Sequence, residues 1–480
     1  MIKSIIPMRG ANLCGTGRLP LASDCGPRPV GGRRRGSRTR GREQRGALNV
    51  LLYYIVPIGG LALAAAGIWY ARWSGTPAVK AERRERRRDT FRAVRTWLRE
   101  LGRERQIVQA AQREHADLLA PAPMNLFITD PAWVLSEPLE LDRLTVELVD
   151  SGAAPPVREE SYEPLRRYWP LTADNEPVRR YHEAVTQFDT PPGIWFNAPS
   201  YRLLGVERRA DGGLGVRVGT TTYWDGYDSW AALQFEAAYQ LRETAGASIA
   251  GPYRRSLGSP FSLGNRVCAI AISVLTVCRT RQGSFFYLQR RAAAQVAIQG
   301  GLAGLVPAGE FQPSSAAYAA VHSDADVWRC AMREFAEEFL GRPDVSGQRG
   351  ALVDYERESP FRELQRARRK GSVRPYVLDI GFDPVNWKAG IRLVCVFEQD
   401  AYLEIFRGMR HEGPEGELEV PSLYRAGDEP LAGMPLDEET VRRYLGDPTI
   451  TESARLCIGL TWEHRDKLGL AAPVRKRPPR

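Results

Sequence analysis

Cysteine and histidine are scarce in this chain of 480 residues, and their spacing excludes several kinds of site. The seven cysteines occur singly without a CxxC pair, and the five histidines show neither HxxxH nor HExxH spacing. Disulfide scaffolds and zinc sites need clustered or paired ligands, so neither is predicted, and the cysteines are expected to be buried free thiols. A GxSxG elbow and a Walker lysine are also missing, which argues against a serine hydrolase of that type and a P-loop NTPase.

Long apolar runs are equally rare, and the single one lies at residues 47–71. One run excludes a polytopic transporter, because each span needs about 20 apolar residues. This run has no charged residue and is bounded by tyrosines and tryptophans, as is typical of a transmembrane helix. The alternatives, a buried core helix and a cleaved signal peptide, fit its length and flanks less well. We therefore expect a single-pass protein of the cell membrane, with the lipid bilayer as a partner and a cytoplasmic body.

The positive charge is concentrated near the N-terminus. Residues 1–120 contain 24 Lys+Arg and 9 Asp+Glu, a net charge of +15, whereas the whole chain carries +10, which leaves −5 for the remainder. A nucleic-acid-binding body would carry its own basic face, so no nucleic-acid partner is expected. We interpret residues 1–46 as a disordered basic tail, 72–120 as a basic juxtamembrane helix and 471–480 as a second basic tail.

Two further regions form the predicted body. Apolar residues recur at three- and four-residue steps over residues 89–119, which predicts a helix. This helix would be either a dimerising stalk, and thus a possible homodimer contact, or a linker packed on the body. Residues 121–260 are interpreted as an accessory mixed α/β region with a β-hairpin over residues 201–224 around Asp211-Gly212, followed by a helix over residues 229–243. Residues 261–470 mix strands and helices without regular alternation, which favours the α+β class.

The candidate chemistry lies on a predicted helix over residues 327–340. Glu334, Glu337 and Glu338 stand at i, i+3 and i+4, so their carboxylates share one helix face. Adjacent like charges repel unless a cation neutralises them, and carboxylate oxygens suit Mg²⁺ or Mn²⁺. A solvated acidic helix face remains the alternative interpretation.

The segment Arg333-Glu-Phe-Ala-Glu-Glu338 resembles the core of the Nudix box, Arg-Glu-apolar-any-Glu-Glu. The preceding strands and the loop Pro307-Ala-Gly-Glu310 are similar to the family's arrangement, and the resemblance covers residues 265–400. It implies a Nudix-like mixed sheet with flanking helices, and metal-dependent hydrolysis of a nucleoside-diphosphate derivative. The implied metal ligands are Glu334, Glu337 and Glu338; the implied catalytic residues are Arg333, which would orient a glutamate, and Glu338; the implied substrate-binding residues are Arg290, Arg291 and Gly309.

The sequence departs from the family pattern in the spacing of its loop. Gly309 and Arg333 are 24 positions apart, about ten more than usual, and the expected mid-loop glutamate falls on Ala325, between Asp324 and Asp326. The combination of one apolar run and an extended Nudix-like region also resembles Nudix modules of bacterial nucleotide-second-messenger defence systems, which implies a signalling nucleotide as substrate. Two alternatives stay open: a non-catalytic nucleotide sensor, and a scaffold with a degenerate Nudix fold.

Overall fold

A mixed sheet with helices on both faces forms the centre of the protein. The structure, a computed structural model, describes residues 75–100, 102–120, 126–149, 162–189, 196–243, 248–291, 301–342, 352–410, 412–413, 416–419 and 433–470. From Pro77 onward the chain forms one compact unit. The architecture is mixed α/β with several sheets.

The helices in the described residues vary widely in length. They are α1 (Pro77–Arg99), α2 (Arg103–Glu114), α3 (Glu163–Arg166), α4 (Tyr181–Phe188), α5 (Tyr223–Glu243), α6 (Pro252–Leu257), α7 (Tyr318–Ser323), α8 (Val327–Glu334), α9 (Phe361–Arg369), α10 (Gln399–Ile405), α11 (Glu438–Gly446) and α12 (Glu452–Glu463). A single π-helical turn, Phe335–Phe339, continues α8.

The strands form a seven-, a four- and a three-stranded sheet in the described part of the chain. They are β1 (Leu139–Glu140), β2 (Leu144–Leu148), β3 (Pro199–Arg208), β4 (Leu214–Thr222), β5 (Ile270–Thr280), β6 (Gly283–Phe286), β7 (Leu288–Arg291), β8 (Ala303–Leu305), β9 (Ala308–Glu310), β10 (Val373–Phe382), β11 (Ala389–Glu398), β12 (Glu412–Gly413), β13 (Gly416–Leu418) and β14 (Met434–Pro435). The large sheet has the order β1-β10-β11-β5-β6-β14, with β9 also paired to β5; the others run β12-β13-β7-β8 and β2-β4-β3.

Alternating side chains of the central strands feed two apolar clusters. On β11, Ile391, Leu393 and Cys395 belong to one cluster, whereas Val394 and Val396 belong to the other. Successive side chains of a strand point to opposite faces of the sheet, so both faces of β11 are covered. This explains why β11 reads as a nearly continuous apolar run and pairs in parallel with β5.

The predicted β-hairpin is confirmed. Strands β3 and β4 pair antiparallel, and at the turn Gly212 has a φ of 79°, a conformation that glycine adopts without strain. The Asp211 carboxylate accepts a hydrogen bond from the Gly213 N–H at 2.8 Å, which closes the turn. The hairpin adjoins the central sheet, because the Leu203 N–H donates to the Cys268 carbonyl oxygen at 2.8 Å.

The helix predicted over residues 89–119 is present as two helices that pack on the body. Gly102, with a φ of 89°, separates α1 from α2. The Phe91 ring lies 5.1 Å from that of Phe235 on α5, and the guanidinium group of Arg95 pairs with the Asp189 carboxylate at 2.8 Å. Of the two interpretations of this segment, the linker packed on the body is therefore the one observed.

The prediction of a single-pass membrane protein needs correction. Within the described residues, no helix is both long enough and apolar enough to cross a membrane. The 23-residue helix α1 has the length but carries Lys80 and eight arginines, and charged side chains are costly in a bilayer. The predicted span at residues 47–71 lies outside the described residues. The described residues therefore do not support the predicted transmembrane architecture and cell-membrane location.

We expect the stability of the fold to depend on His115, which follows α2. Its Nε2 accepts a hydrogen bond from the Trp387 indole N–H at 3.2 Å, and burial, with the nearby charge of Arg254, lowers its pKa to about 4. In the unfolded chain the His115 imidazole takes up a proton at a pKa of about 6.5. The neutral imidazole therefore favours the folded state fully above that pH, and this contribution to stability is lost as the pH falls toward 4. Between pH 7.5 and 5 the unfolding free energy should fall by about 2 kcal/mol on this account. Urea denaturation of the wild type and of His115→Gln tests this; equal losses in both would contradict it.

Candidate functional site

The helix that carries the acidic residues starts at a side-chain cap. The Asp326 carboxylate accepts a hydrogen bond from the Arg329 N–H at 2.9 Å, which satisfies one of the free amides at the start of α8. The helix predicted over residues 327–340 is confirmed, but its second half is the π-helical turn. Such turns are rare and are frequently found at functional sites.

Removing this cap should weaken the helix. Asp326→Ala is expected to lower the unfolding free energy by about 1 kcal/mol, because the Arg329 amide loses its acceptor. Asp326→Asn keeps an acceptor oxygen and serves as the matched control, with a smaller loss. Chemical denaturation of both variants measures the difference, and a neutral Asp326→Ala would show that the cap does not stabilise the helix.

Aromatic packing holds the other face of the helix against the central sheet. The Phe335 ring lies 5.5 Å from that of Phe397 on β11, and the Phe339 ring lies 4.8 Å from that of Phe406. All four side chains are buried. Since this face is occupied by the core, the three glutamates leave the helix on another side, where they are partly exposed.

Two of the three predicted metal ligands meet at the strand β9. Glu338 Oε1 accepts a hydrogen bond from the Ala308 N–H at 2.7 Å. The carboxylate of Glu334 reaches the next residue: a Cβ added to Gly309 would lie 2.1 Å from Glu334 Oε1. Glu337, like the other two, is partly exposed. The two carboxylates therefore converge on residues 308–309, one helical turn apart.

Gly309 has a steric role in this arrangement. Its main chain pairs with Ile272 of β5, so it cannot move aside without disturbing the sheet. Any larger residue would place its Cβ inside the volume of the Glu334 carboxylate. Glycine is thus the residue that lets an acidic side chain approach the strand closely.

Arg333 lies in the interior, where it forms an ion pair with Asp324. It is 1% exposed, its guanidinium group lies 3.5 Å from the Asp324 carboxylate, and it donates hydrogen bonds to the Tyr355 hydroxyl and the Gln312 carbonyl oxygen. The structure therefore gives Arg333 an ion pair with an aspartate of the preceding loop, and the predicted contact with a glutamate of the helix stays a prediction. The side chain points into the core because it leaves the helix on a different face from the three glutamates.

The long loop before the helix is closed by the same ion pair. The Asp324 carboxylate also accepts a hydrogen bond from the Ser314 N–H at 2.7 Å, and Arg333 binds the Gln312 carbonyl. Both ends of the segment from Gln312 to Asp324 are thereby joined. Of the two aspartates that flank Ala325, one closes the loop and the other caps α8, so both have structural roles.

The predicted phosphate contacts Arg290 and Arg291 lie at the end of β7. This strand belongs to the four-stranded sheet, whereas Gly309 belongs to the seven-stranded one. Arg290 forms an ion pair with Glu419 and donates a hydrogen bond to the Gly301 carbonyl oxygen at 2.9 Å, and the main-chain N–H of Arg291 bonds the Leu302 carbonyl oxygen. None of these contacts links either arginine to the acidic residues of the helix.

Lys388, which the sequence patterns did not single out, lies at the end of β9. Lys388 Nζ lies 2.5 Å from Glu310 Oε2, and Ser200 Oγ donates a hydrogen bond to Glu310 Oε1 at 3.3 Å. Lys388 is 78 residues distant from Glu310 in the chain, and it has no motif around it. Only the pairing of β5 with both β9 and β11 brings these residues together.

The carboxylate oxygens of Glu334 and Glu338 meet the requirements of Mg²⁺ only in part. Carboxylate oxygens are the preferred ligands of this ion, which is commonly held by one or two carboxylates together with substrate phosphates and water. Over the described residues, no group of three or more His, Cys, Asp and Glu side chains is arranged to hold a metal ion. The convergence of Glu334 and Glu338 therefore fits an ion that arrives with its substrate better than a permanently held ion.

Comparison with known proteins leaves the family open. No family model matches this chain, and no curated protein is similar to it.

Proposed function

We propose that this protein is a Nudix-like hydrolase that cleaves a nucleoside-diphosphate derivative with the help of Mg²⁺ or Mn²⁺. The observation that carries the proposal is the convergence of Glu334 and Glu338 on the main chain of residues 308–309. Two carboxylates at one strand edge, on a helix whose other face is buried in the core, form an acidic cradle of fixed shape. Such a cradle suits a divalent ion bridged to a diphosphate.

The residues of the cradle hold their positions through the main chain. The Ala308 N–H fixes one oxygen of Glu338, and Gly309 leaves room for the carboxylate of Glu334. Arg333 acts as a positioning residue, because its bonds to Gln312 and Asp324 hold the loop that leads from this strand to the helix. When bound, the ion would neutralise phosphate charge and activate water. In the reaction the water oxygen bonds to one phosphorus, the bridging P–O bond breaks, and the proton passes to a carboxylate or to solvent.

A non-catalytic nucleotide sensor is the second candidate. It is favoured by the lack, within the described ranges, of a three-residue metal-binding group, since a protein that only binds nucleotide needs no such group. In that case the same cradle would hold the nucleotide without breaking its diphosphate.

A panel of nucleotides tests both candidates on the full chain. Nucleoside diphosphate sugars, dinucleotides and cyclic signalling nucleotides are incubated with Mg²⁺, Mn²⁺ or EDTA, and release of nucleoside monophosphate is followed. The hydrolase predicts turnover of at least one diphosphate-containing class with the metal and none with EDTA, whereas the cyclic nucleotides, which have no diphosphate bridge, should not be cleaved. No turnover, together with a higher Tm in the presence of a nucleotide, would replace the hydrolase by the sensor. Neither turnover nor stabilisation would leave a scaffold.

A further inference from the structure

Three buried arginines lack a carboxylate partner. Six arginines among the described residues are at most 8% exposed. Three of them form ion pairs with aspartates: Arg95 with Asp189, Arg333 with Asp324 and Arg392 with Asp379. The other three are Arg202, Arg254 and Arg266, which are 5%, 3% and 2% exposed. A buried charge without a partner is strongly unfavourable, so these three need an explanation.

The three arginines without an ion pair among the described residues lie in one region of the core. The guanidinium carbons of Arg254 and Arg266 lie 4.8 and 5.7 Å from the ring centroid of Trp387. Both side chains also donate to main-chain carbonyl groups of the turn before β11. Arg266 further contacts Cys268 Sγ at 3.5 Å. The charge of Arg202 also acts on the Cys268 thiol, and the main chain of Arg202 forms a β-bridge with Ala269.

Each of these arginines retains buried donors that have no hydrogen-bond partner within the described ranges. They are Nε of Arg202, Nε and Nη1 of Arg254, and Nη1 of Arg266. Burial lowers the pKa of Arg254 to about 10, which still leaves its guanidinium group charged at neutral pH. The four unpartnered donors belong to three cations, and all of them lie within the core.

Two nearby carboxylates, those of Glu236 and Asp383, attract the charge of Arg254, but in the described part of the chain they do not bond its unpartnered donors. The oxygens of Glu236 accept hydrogen bonds from the N–H groups of Tyr253 and Arg254, at 2.7 and 2.8 Å. Asp383 Oδ1 accepts two more main-chain N–H groups, at 2.8 and 3.1 Å. Both acids serve as acceptors for the backbone, and neither forms an ion pair with these arginines in the part of the chain that is described.

We propose that Arg202, Arg254 and Arg266 form an internal binding site for an oxyanion of the phosphate class. Guanidinium groups match phosphate oxygens through paired N–H donors, and a tetrahedral oxyanion offers acceptors in several directions at once. A ligand in this position would be enclosed by the core and would act as a structural component. It would be inorganic phosphate or the phosphoryl group of an organic molecule, and the site is independent of the acidic cradle on the helix.

Phosphorus analysis of the full chain tests for a retained ligand. The purified protein is desalted, denatured in acid and assayed for inorganic phosphate before and after ashing. About one equivalent of phosphorus per chain would support the site; phosphate found before ashing identifies the inorganic ion, and phosphate found only afterwards identifies a phosphorylated organic molecule.

Thermal melts with inorganic phosphate at constant ionic strength test for an exchangeable ligand. A concentration of 100 times the Kd should raise the Tm of the wild type by about 3 °C. Arg254→Met and Arg266→Met should lose this shift, whereas Arg357→Met, at a side chain that is 88% exposed, should keep it. Glu334→Gln should also keep it, because the acidic cradle is not involved.

Two outcomes would overturn the proposal. One is a wild-type protein that neither releases phosphorus nor gains stability from phosphate. The other is a shift that persists in both arginine variants, which would place the anion elsewhere. If a methionine variant does not fold, the wild-type phosphorus content and Tm decide the question.

Discussion

Glu338→Gln is expected to lower the turnover of a nucleoside-diphosphate substrate by about 10²- to 10³-fold, since a metal-binding carboxylate contributes several kcal/mol to the transition state. Glutamine has nearly the same shape and still accepts the hydrogen bond from the Ala308 N–H, which is 2.7 Å long with glutamate. The fold should therefore persist while the negative charge is lost. Initial rates at saturating Mg²⁺ measure the effect.

The companion variants locate this effect in the cradle. Glu334→Gln should also reduce turnover strongly. Its carboxylate lies against Gly309, beside that of Glu338, and the substitution removes its negative charge from the proposed metal site. Glu439→Gln, on the exposed surface of α11, is the matched control and should leave the rate unchanged. Thermal melts confirm that each variant is folded. Wild-type rates in both cradle variants would remove the proposed role of these carboxylates.

Arg333→Met is expected to lower the unfolding free energy by about 3–5 kcal/mol, the usual cost of breaking a buried ion pair. The Asp324 carboxylate is 1% exposed. It would remain in the core without the guanidinium group that now lies 3.5 Å from it. The Gln312 carbonyl and the Tyr355 hydroxyl would also lose their donor. Urea denaturation at pH 7 measures the loss.

A second substitution tests the cause of that loss. In the double variant Arg333→Met, Asp324→Leu, the unpaired charge is gone and part of the stability should return, although the Ser314 N–H then lacks the Asp324 acceptor. Arg357→Met, at a side chain 88% exposed, is the control and should change the unfolding free energy by less than about 0.5 kcal/mol. A loss below 1 kcal/mol in Arg333→Met, or no recovery in the double variant, would contradict the assigned role.

Local patterns predicted the elements well, because turns and helices of this kind are determined by near neighbours. The β3–β4 hairpin follows from alternating apolar residues around Asp211-Gly212, whose side chain and φ make the turn. The helix over residues 327–340 follows from its apolar spacing, which places Phe335 and Phe339 in the core. The π-helical turn within it has no local signature in the sequence.

Partners far apart in the chain were not predictable in the same way. Two aspartates precede Arg333 within ten positions and three glutamates follow it. Only the packing of the loop selects Asp324 as its ion-pair partner. Arg290 and Arg291 follow a strand in the expected order along the chain, yet that strand joins a different sheet from Gly309. The transmembrane prediction relied on the length, the lack of charge and the aromatic ends of one run, and no helix in the described residues is long and apolar enough to cross a membrane.

The sequence by itself determined the β3–β4 hairpin, the helical character of residues 327–339 and the placement of three glutamates on one helix face, because these features depend on residues within a few positions of each other. Tertiary structure decided which of those glutamates reach a common point, why residue 309 must be glycine, and which buried arginines find an acid. Those outcomes depend on strands β5, β9 and β11 meeting in one sheet, and pairing over such distances is set by the packing of the whole core.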